Sequence, residues 1–519
     1  MKTIYYNGII KTMNEHNDVV EAVCIENGKI TYVGSIKEVL KQKNEDTQCI
    51  DLNNKVMLPG LIDSHSHFVG VANSLSQCDL SDCKSFSDII NKMKKFIKNE
   101  SIQENQWVYG CNYDHNFLEE NTHPTKAILD QISTVYPVVI VHASNHMGVA
   151  NTKALEVSHI DNNIEDPESG KYGREDGKLN GYLEENAFIN FQKNAPMISV
   201  QQLLNLMARA QDIYASYGIT TLQEGMVNDE LWGLLKYASD SGLFKLDVVG
   251  YVDLASSRHI LLDNPDYVGK YKNHLRIGGY KIFLDGSPQG KTAYLTSPYE
   301  GEENYCGYPT LSDQEVINFY QQAKDDHQQI LAHCNGDGAC EQFIHAGEIV
   351  GLGYRPVMIH AQLVTEKQLQ RMAKIKMMLS FFVSHTYYWG DIHIKNFGYE
   401  RAKNISPVKT AINYSIPYTF HQDSPVLPPN LMKAMQCAME RKTKSGILLN
   451  QDECVSEEEA LRAVTINGAF QYFEENKKGS IEVGKNADLV IMNKDGDVLH
   501  TIKDGNCIYS KNHSEISSL

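Results

Sequence analysis

The sequence predicts an α/β protein with a (β/α)8 TIM barrel and a small β-sandwich domain built from both termini. Two observations through the middle of the 519-residue chain predict the barrel. Segments with helical spacing alternate with short segments, and the short segments are almost continuously apolar, as in parallel strands buried on both faces. β-prone segments at both ends predict the β-sandwich. The alternative is an open doubly wound sheet, and the lack of a Gly-x-Gly-x-x-Gly turn after an early strand disfavours its dinucleotide-binding form.

The two ends of the chain share a β-prone composition. Near the N-terminus, strands are predicted at residues 4–6, 21–25 and 30–33, with tight turns at Asn7-Gly8 and Asn27-Gly28. Near the C-terminus, the corresponding segments are 487–492, 498–499 and 507–509. We therefore predict a β-sandwich domain made of residues 1–57 and 476–519, with the barrel, residues 58–475, inserted between its two parts.

Helix boundaries can be placed at several points in the middle of the chain. Apolar residues recur with helical spacing over residues 200–217, Gly218 offers an end to that helix, and a strand is predicted at 219–222. Capping boxes predict three later helix starts, at Ser312 with Glu315, Thr365 with Gln368, and Ser456 with Glu459. Residues at about 73–196 fit the alternating pattern poorly, and we predict a long insertion that covers one end of the barrel.

Composition and charge exclude several classes of function. The formal net charge of -17 and the pI near 5.6 argue against nonspecific nucleic-acid binding and against docking on anionic membranes. The N-terminal residues lack the pattern of a secretory signal, and no apolar segment is long enough to span a bilayer. The 11 cysteines are scattered without a Cys-x-x-Cys pair, so we expect no disulfide framework and a cytoplasmic location.

The strongest local motif is His65-Ser66-His67, which follows the apolar segment 58–62. Residues two apart in a strand face the same side, so two imidazoles at the carboxyl end of a barrel strand can chelate a metal ion there. A bare His-x-His is more often a pair of ordinary surface or capping histidines. The proline-glycine turn and the apolar strand before it favour the metal interpretation.

Four further residues are candidates because of their positions in or directly after apolar, strand-like segments. His333 and His360 each close an apolar segment, although a single histidine there is more often a buried core residue. Asp423 follows another such segment and could bind metal and transfer a proton, or simply cap the next turn. Lys281 lies inside the strand-like segment 279–284, where burial disfavours its ammonium unless the position is an exposed edge.

Taken in chain order, His65, His67, Lys281, His333, His360 and Asp423 resemble the ligand set of the amidohydrolase superfamily. The branch most similar is amidohydrolase family 3, which contains N-substituted formamide deformylases. Further segments that resemble this branch, in the same order along the chain, are His123-Pro124-Thr125, Asn145-His146, 151–155, 181–187, 285–287, 333–337, 360–363 and 479–490. The resemblance extends over essentially the whole chain.

This resemblance implies two metal ions. His65, His67 and Asp423 would hold the first, His333 and His360 the second, and a carboxylated Lys281 would bridge them. The implied function is hydrolysis of a non-peptide C–N bond, an amide such as an N-formyl or N-acyl amine, by a metal-activated hydroxide whose proton passes to Asp423. Zinc is expected from the histidine-rich set, with manganese or iron as alternatives.

Two other functions stay open at this stage. A deaminase of the same superfamily is the first, although deaminases usually lack the bridging lysine, so Lys281 counts against it. A metal-free binding scaffold is the second, and the complete ligand set counts against that. For partners we expect a small-molecule substrate, neither nucleic acid nor membrane, and a homodimer as the assembly to test.

Specificity is expected from a loop at residues 384–391, whose aromatic side chains could line a pocket or pack against the insertion. His385 and Tyr388 are the substrate-binding candidates in it. The chain also departs from the family pattern just before the metal-binding aspartate, where His421 and Gln422 replace the usual Gly-Ser. This difference could narrow the pocket or add a hydrogen-bond donor. Cys334 stands where alanine is common, and we expect a small buried thiol there.

Overall fold

The computed structural model describes residues 2–100, 102, 106–142, 147–168, 170–194 and 199–511. The chain forms two units, one made of Met1–Val71 and Met207–Leu519 and the other of Ala72–Leu206. Asn145 and His146, two of the residues that carry the family resemblance, lie outside the described residues. Helices and strands occur in both units, which confirms an α/β fold.

The strands, numbered β1 to β22, are Lys2–Lys11, Val19–Glu26, Lys29–Gly34, Thr47–Asp51, Val56–Pro59, Leu61–Ile62, Gln77–Asp79, Val108–Tyr113, Val138–His142, Met147–Ala150, Gly170–Glu175, Lys178–Glu185, Ile219–Val227, Asp247–Asp253, Leu275–Phe283, Gln329–Cys334, Val357–His360, Met378–Phe381, Tyr418–Phe420, Leu489–Met492, Val498–Lys503 and Asn506–Ser510.

The helices, numbered α1 to α20, are Ile36–Val39, Phe68–Ser74, Phe86–Asn99, Lys126–Leu129, Thr152–Val157, Asn186–Asn194, Val200–Ser216, Asp229–Asp240, Leu254–Ser257, His259–Asp263, Asp313–Asp325, Asp337–Val350, Glu366–Lys374, His385–Tyr388, Gly390–Phe397, Tyr399–Ala402, Val408–Asn413, Leu431–Glu440, Glu457–Ala463 and Ile466–Gln471. Among the described residues, none of these helices has the length and apolar character needed to cross a membrane.

Both ends of the chain contribute to one sheet. Its strand order is β22-β21-β20-β5-β1-β2-β3, with β4 paired to β1. Tyr5, Ile10 and Val23 from the N-terminal strands share a buried apolar cluster with Leu489 and Ile491 from β20. The strands predicted near both termini therefore form, and the hydrophobic effect of burying this shared cluster holds the two ends together.

One of the two predicted Asn-Gly turns forms and the other does not. Asn27 and Gly28, with φ of 51° and 75°, connect β2 to β3, because a tight hairpin turn requires positive φ at both central residues. Asn7 and Gly8 instead lie inside β1, so the turn predicted there is wrong. Asn7 has φ of 58° at an irregularity where β1 changes its parallel neighbour from β4 to β5. Asparagine tolerates this conformation, and here it produces a bulge.

The candidate site is carried by a curled parallel sheet of eight strands. They follow one another in chain order, β6-β13-β14-β15-β16-β17-β18-β19, and every neighbouring pair is parallel. Just beyond β6, the Ser64 hydroxyl donates to the carbonyl oxygen of Phe420 in β19 (3.0 Å). The carboxyl ends of the first and last strands therefore lie close together.

Local sequence signals set the helices between these strands. The helix predicted at 200–217 is α7, and it is followed by Gly218 with φ of 82°. All three capping boxes form, at the N-termini of α11, α13 and α19. In each, the side chain of the first residue accepts from a backbone amide that would otherwise be unpaired, so these helix starts were predictable from four residues.

The unit Ala72–Leu206 contains its own six-stranded sheet, in the order β11-β12-β10-β9-β8-β7. In β9, Val138 and Ile140 face one apolar cluster, while Val139 and Val141 face another. Both faces are therefore covered along residues 138–141, which are apolar at every position rather than at alternate ones, and His142 ends the strand. β7, β8 and β9 are parallel, whereas β10 pairs antiparallel with both β9 and β12, so this sheet is mixed.

Candidate metal centre

The six predicted ligands all lie at or just beyond the carboxyl ends of strands in the curled sheet. His65 and His67 follow β6, Lys281 is near the end of β15, and the remaining three belong to β16, β17 and the segment after β19. Because the strands are parallel and adjacent in order, residues at these ends converge on one rim. The cluster therefore follows from the topology, although its members are spread over more than 350 residues.

His65, His67 and Asp423 have ligand atoms within 4.8 Å of one another. Asp423 Oδ1 lies 3.3 Å from His65 Nε2 and 3.5 Å from His67 Nε2. Ligands 2.0–2.2 Å from a tetrahedral zinc ion are about 3.3–3.5 Å apart, so these separations fit a shared ion. His65 is buried, while His67 has 37% of its side chain exposed and faces the solvent side of the cluster.

The Asp423 carboxylate supports this interpretation independently. Its Oδ1 is buried and accepts no hydrogen bond from any described residue, although two imidazoles face it. A buried carboxylate oxygen without a hydrogen bond is costly, and a positive charge beside it, on a protonated His67 or on a bound cation, would offset that cost. Burial alone would raise the pKa of Asp423, but His67, His360 and His65 outweigh burial and hold this pKa well below its usual range. The carboxylate is therefore ionised at neutral pH.

Lys281 is buried in the same cluster. Its Nζ lies 3.4 Å from His65 Nε2, and the residue is 2% exposed. Burial lowers the pKa of Lys281 to about 7, against the opposing effect of the Asp423 charge. The edge-strand alternative is thereby wrong, because β15 is an interior strand between β14 and β16. A large fraction of this amine is uncharged at neutral pH.

His333 and His360 occupy the neighbouring strand ends, with ring centroids 4.5 Å apart. His360 is 5.6 Å from His65, measured between ring centroids. Burial lowers the pKa values of both His65 and His360 well below the usual range, so their rings are neutral and carry the lone pair that a metal ligand needs. His360 and Asp423 both have positive φ, 69° and 54°, a conformation that is uncommon for these residues and often found at functional sites.

Two further residues orient these rings: Gln223, which the sequence did not single out, and Asp285, which lies in the segment 285–287 that resembles the family. The Nδ1 of His65 donates to Gln223 Oε1 (2.6 Å), and the Nδ1 of His333 donates to the buried Asp285 (3.1 Å). Both rings therefore direct the lone pair of Nε2 away from these partners, as expected of metal-ligating histidines. Gln223 was detectable only as one of several polar residues in the buried strand β13.

Glu224 and Gly225 also shape the cluster from β13. Glu224 is 2% exposed, accepts from the amide of Val69 (2.7 Å), and lies 3.8 Å from His67 Nδ1. At Gly225 a Cβ atom would be 2.8 Å from His65 Cε1, so any larger residue would displace that ring. Partial burial lowers the pKa of His67, but Asp423 and Glu224 outweigh it and raise this pKa to about 9.

His421, noted as a departure from the family pattern, is fully buried beside the candidate ligands. Its Nδ1 is hydrogen-bonded to the Ser380 hydroxyl (2.8 Å) and its Nε2 to His360 Nδ1 (3.1 Å). His421 is therefore the hydrogen-bond partner of Nδ1 in His360, as Asp285 is the partner of Nδ1 in His333. Burial lowers the pKa of His421 to about 3.

The two substrate-binding candidates differ in their surroundings. His385 is 3% exposed, with its ring 4.4 Å from that of Phe382, and it is hydrogen-bonded to His393 (3.3 Å). Tyr388 is 38% exposed and packs against Trp389. The loop expected at 384–391 is wrong, because these residues begin α14 and α15. The side chains of His385 and Tyr388 therefore project from a short helix and pack against the rings of Phe382 and Trp389, respectively.

The fold and this rim of histidines and carboxylates define an α/β protein with a candidate metal centre, and comparison with known proteins identifies the family. A model described as the amidohydrolase family matches residues 48–509. The chain therefore belongs to the amidohydrolase family, and the resemblance seen in the sequence is confirmed.

Two relatives and one solved structure illustrate the similarity. The putative amidohydrolase YtcJ of Bacillus subtilis is 27% identical, covering 98% of this chain and 100% of its own length. The N-substituted formamide deformylase of Arthrobacter pascens is 26% identical over 94% of this chain and 93% of its own length. A structure of an uncharacterized metal-dependent hydrolase from Pyrococcus furiosus has a TM-score of 0.77 and 24% identity, covering 96% of this chain and 100% of that one. The similarity to this solved structure supports the α/β fold of the chain.

Proposed function

We propose that this protein is a metal-dependent amidohydrolase that cleaves a non-peptide C–N bond, the amide of a small N-formyl or N-acyl amine. The observation that carries the proposal is the buried Asp423 oxygen, which faces the Nε2 atoms of His65 and His67 without a hydrogen bond among the described residues. The similarity to an N-substituted formamide deformylase supports the substrate class. We also propose that the curled sheet closes into a (β/α)8 barrel, supported by the bond between Ser64 and Phe420.

The ligand assignment follows the geometry of the rim. His65, His67 and Asp423 would hold one divalent cation, and His333 with His360 would hold a second. Imidazole-rich sets with carboxylates favour zinc, and manganese or iron are the alternatives. When bound, such cations polarise a carbonyl group and lower the pKa of water toward about 7.

Lys281 would act as the link between the two sets of ligands after carboxylation. Its neutral amine forms an N–C bond with CO2 and releases one proton, which converts the amine into a carbamate anion. The lowered pKa of Lys281 supports this step, since only the uncharged amine has the electron pair that attacks CO2. The carbamate would also remove the cost of burial, because an anion stabilised by bound cations would replace a buried ammonium.

Asp423 would carry the proton in the hydrolytic step. Its carboxylate is ionised at neutral pH, so it can accept a proton from the attacking water. The protonated carboxyl group of Asp423 would then donate this proton to the nitrogen of the departing amine, which leaves as a neutral product. His65 and His67 flank this carboxylate through their Nε2 atoms, and Glu224 faces the Nδ1 atom of His67 (3.8 Å).

We assign the amine side of the substrate to the region of α14. His385 has a neutral ring, because burial and the neighbouring His393 lower its pKa well below the usual range. A neutral imidazole can donate or accept a hydrogen bond at the substrate without binding a proton. The rings of Phe382 and Trp389 beside it would suit an apolar or aromatic group, with Tyr388 at the exposed end.

The test is a substrate panel with two separate readouts. Full-length protein loaded with zinc is incubated with N-formyl amines, N-acyl amines and aminopurines, and released acid and ammonia are measured separately. We expect formate or another acid from the amides, lost in Asp423→Asn and kept in His345→Gln, a change at an exposed helix position. Ammonia from aminopurines without acid release would favour the deaminase, and no turnover in a protein that binds no metal would favour the scaffold.

A further inference from the structure

A second cluster of histidines and a carboxylate lies in the unit Ala72–Leu206, at the carboxyl ends of β8 and β9. These strands are parallel neighbours, and Tyr113 pairs with His142 across them. Asp114 and His115 follow β8 directly, so the pairing brings them beside His142 although the sequence separates them by 27 residues. The placement repeats the rule that residues after parallel strands converge at one edge.

The distances within this cluster match those between ligands of one metal ion. His115 Nδ1 lies 3.3 Å from His142 Nε2, and Asp114 Oδ1 lies 3.5 Å from His142 Nε2 and 3.8 Å from His115 Nδ1. Tetrahedral zinc places its nitrogen and oxygen ligands about 3.3–3.5 Å apart, so two separations fit and the third needs a shift of a few tenths of an ångström. All three atoms lie within 4.8 Å of one another.

The protonation states also suit a cation. Burial lowers the pKa of His142, and that of His123 beside it falls to about 4 through burial and the neighbouring histidines. Burial would raise the pKa of Asp114, but hydrogen bonds from Asn116 and the nearby His142 outweigh it and lower this pKa. The directions of the pKa shifts at His142 and Asp114 thus favour a neutral imidazole and a charged carboxylate, the forms that bind metals, and agree with the distances above.

The surroundings hold the ligands while leaving access for an ion. The His123 ring lies 3.9 Å from that of His115, between centroids, and its Nδ1 is hydrogen-bonded to the buried Tyr113 hydroxyl (3.0 Å). His123 therefore supports one face of His115. The side chains of Asp114 and His115 are 24% and 27% exposed, so solvent reaches the site.

We propose that Asp114, His115 and His142 bind a divalent transition-metal ion, zinc by preference, at a site formed wholly within the unit Ala72–Leu206. Water or a small ligand would complete the coordination. Two histidines and one carboxylate suit zinc, and the same set also suits iron or manganese. The ion would tie the turn after β8 to the end of β9. The proposal is independent of the reaction assigned to the other unit.

The experiment measures metal content in full-length protein equilibrated with zinc and then desalted. His142→Gln and Asp114→Asn are each expected to hold one zinc ion fewer per chain than wild type. Asparagine is also a good helix-capping residue, so Asp114→Asn keeps the local turn. His345→Gln, at an exposed position on α12, is the matched control and should equal wild type. Circular dichroism confirms that each variant is folded.

A second comparison separates this site from the first. In the His65→Ala background, adding His142→Gln should remove one further ion per chain, and in cobalt-loaded protein it should remove a ligand-field absorption band in the visible range. The proposal is overturned if His142→Gln and Asp114→Asn retain the wild-type zinc content. It is equally overturned if the double variant loses no more metal and no more absorbance than His65→Ala alone.

Discussion

Replacing Lys281 by methionine should stabilise the metal-free protein while abolishing its function. The pKa of Lys281 is lowered from 10.5 to about 7 by burial, a difference that corresponds to about 5 kcal/mol of unfavourable free energy in the folded state at pH 7. Because the unfolded chain binds the additional proton between pH 7 and pH 10.5, this cost is present at pH 7 and disappears as the pH rises to 10.5. Methionine carries no such cost and has a similar volume.

The same pKa predicts selective carboxylation. At pH 7 about half of the Lys281 side chains are neutral, whereas an exposed lysine with a pKa of 10.5 is neutral in only about 0.03% of molecules. In 13C-bicarbonate, wild-type protein should show a carbamate resonance by 13C NMR that is absent from Lys281→Met. Calorimetry of the metal-free proteins should show a higher melting midpoint for the variant. An equal carbamate signal in both proteins, or a lower midpoint in Lys281→Met, would refute the reasoning.

Four further outcomes test other parts of the molecule. Asp423→Asn should reduce kcat by at least about a hundredfold with an unchanged circular dichroism spectrum, since general acid–base groups contribute factors of about 10²–10⁴; near-normal turnover would exclude the proton-transfer role. His65→Ala should lower bound zinc, measured by mass spectrometry of the metal, and unchanged content would exclude it as a ligand. Lys478→Met should lower the free energy of unfolding in urea by about 3–5 kcal/mol, because it leaves the buried carboxylates of Asp247 and Glu474 without this partner; a change below about 1 kcal/mol would show that the pair is solvated. Burial alone would raise the pKa of Asp247, but Lys478 and Lys503 outweigh it and hold this pKa below its usual range. The stabilisation that the ionised Asp247 contributes is therefore complete above about pH 4 and is lost as the pH falls further. Asp247→Asn should flatten the acid dependence of the melting midpoint, and the same dependence in variant and wild type would contradict the assignment.

Much of the fold was predictable because its determinants are local. The capping boxes at Ser312, Thr365 and Ser456 each specify a helix start within four residues. The candidate ligands were recognisable for a related reason, since histidines closing apolar strands stand out from their surroundings. The turn at Asn7 was wrong because the same dipeptide also allows a bulge, and only pairing with β4 and β5 distinguishes the two.

Contacts between distant segments were not predictable from the sequence. Gln223 orients His65 across 158 residues, and neither residue carries a local mark of the other. The Asp114 cluster likewise depends on the parallel pairing of β8 with β9, within a stretch that shows no regular alternation. His421 was visible as an unusual residue, but its bond to His360 required the neighbouring strand ends to be placed.

Anomalous X-ray diffraction at the zinc edge, from crystals of zinc-loaded full-length protein, tests most directly whether the rim of the curled sheet binds metal. We predict one anomalous peak about 2.0–2.2 Å from His65, His67 and Asp423, and a second peak at a similar distance from His333 and His360. A map without a peak at these side chains, from protein that hydrolyses its substrate, would contradict the assignment of this rim as the metal centre.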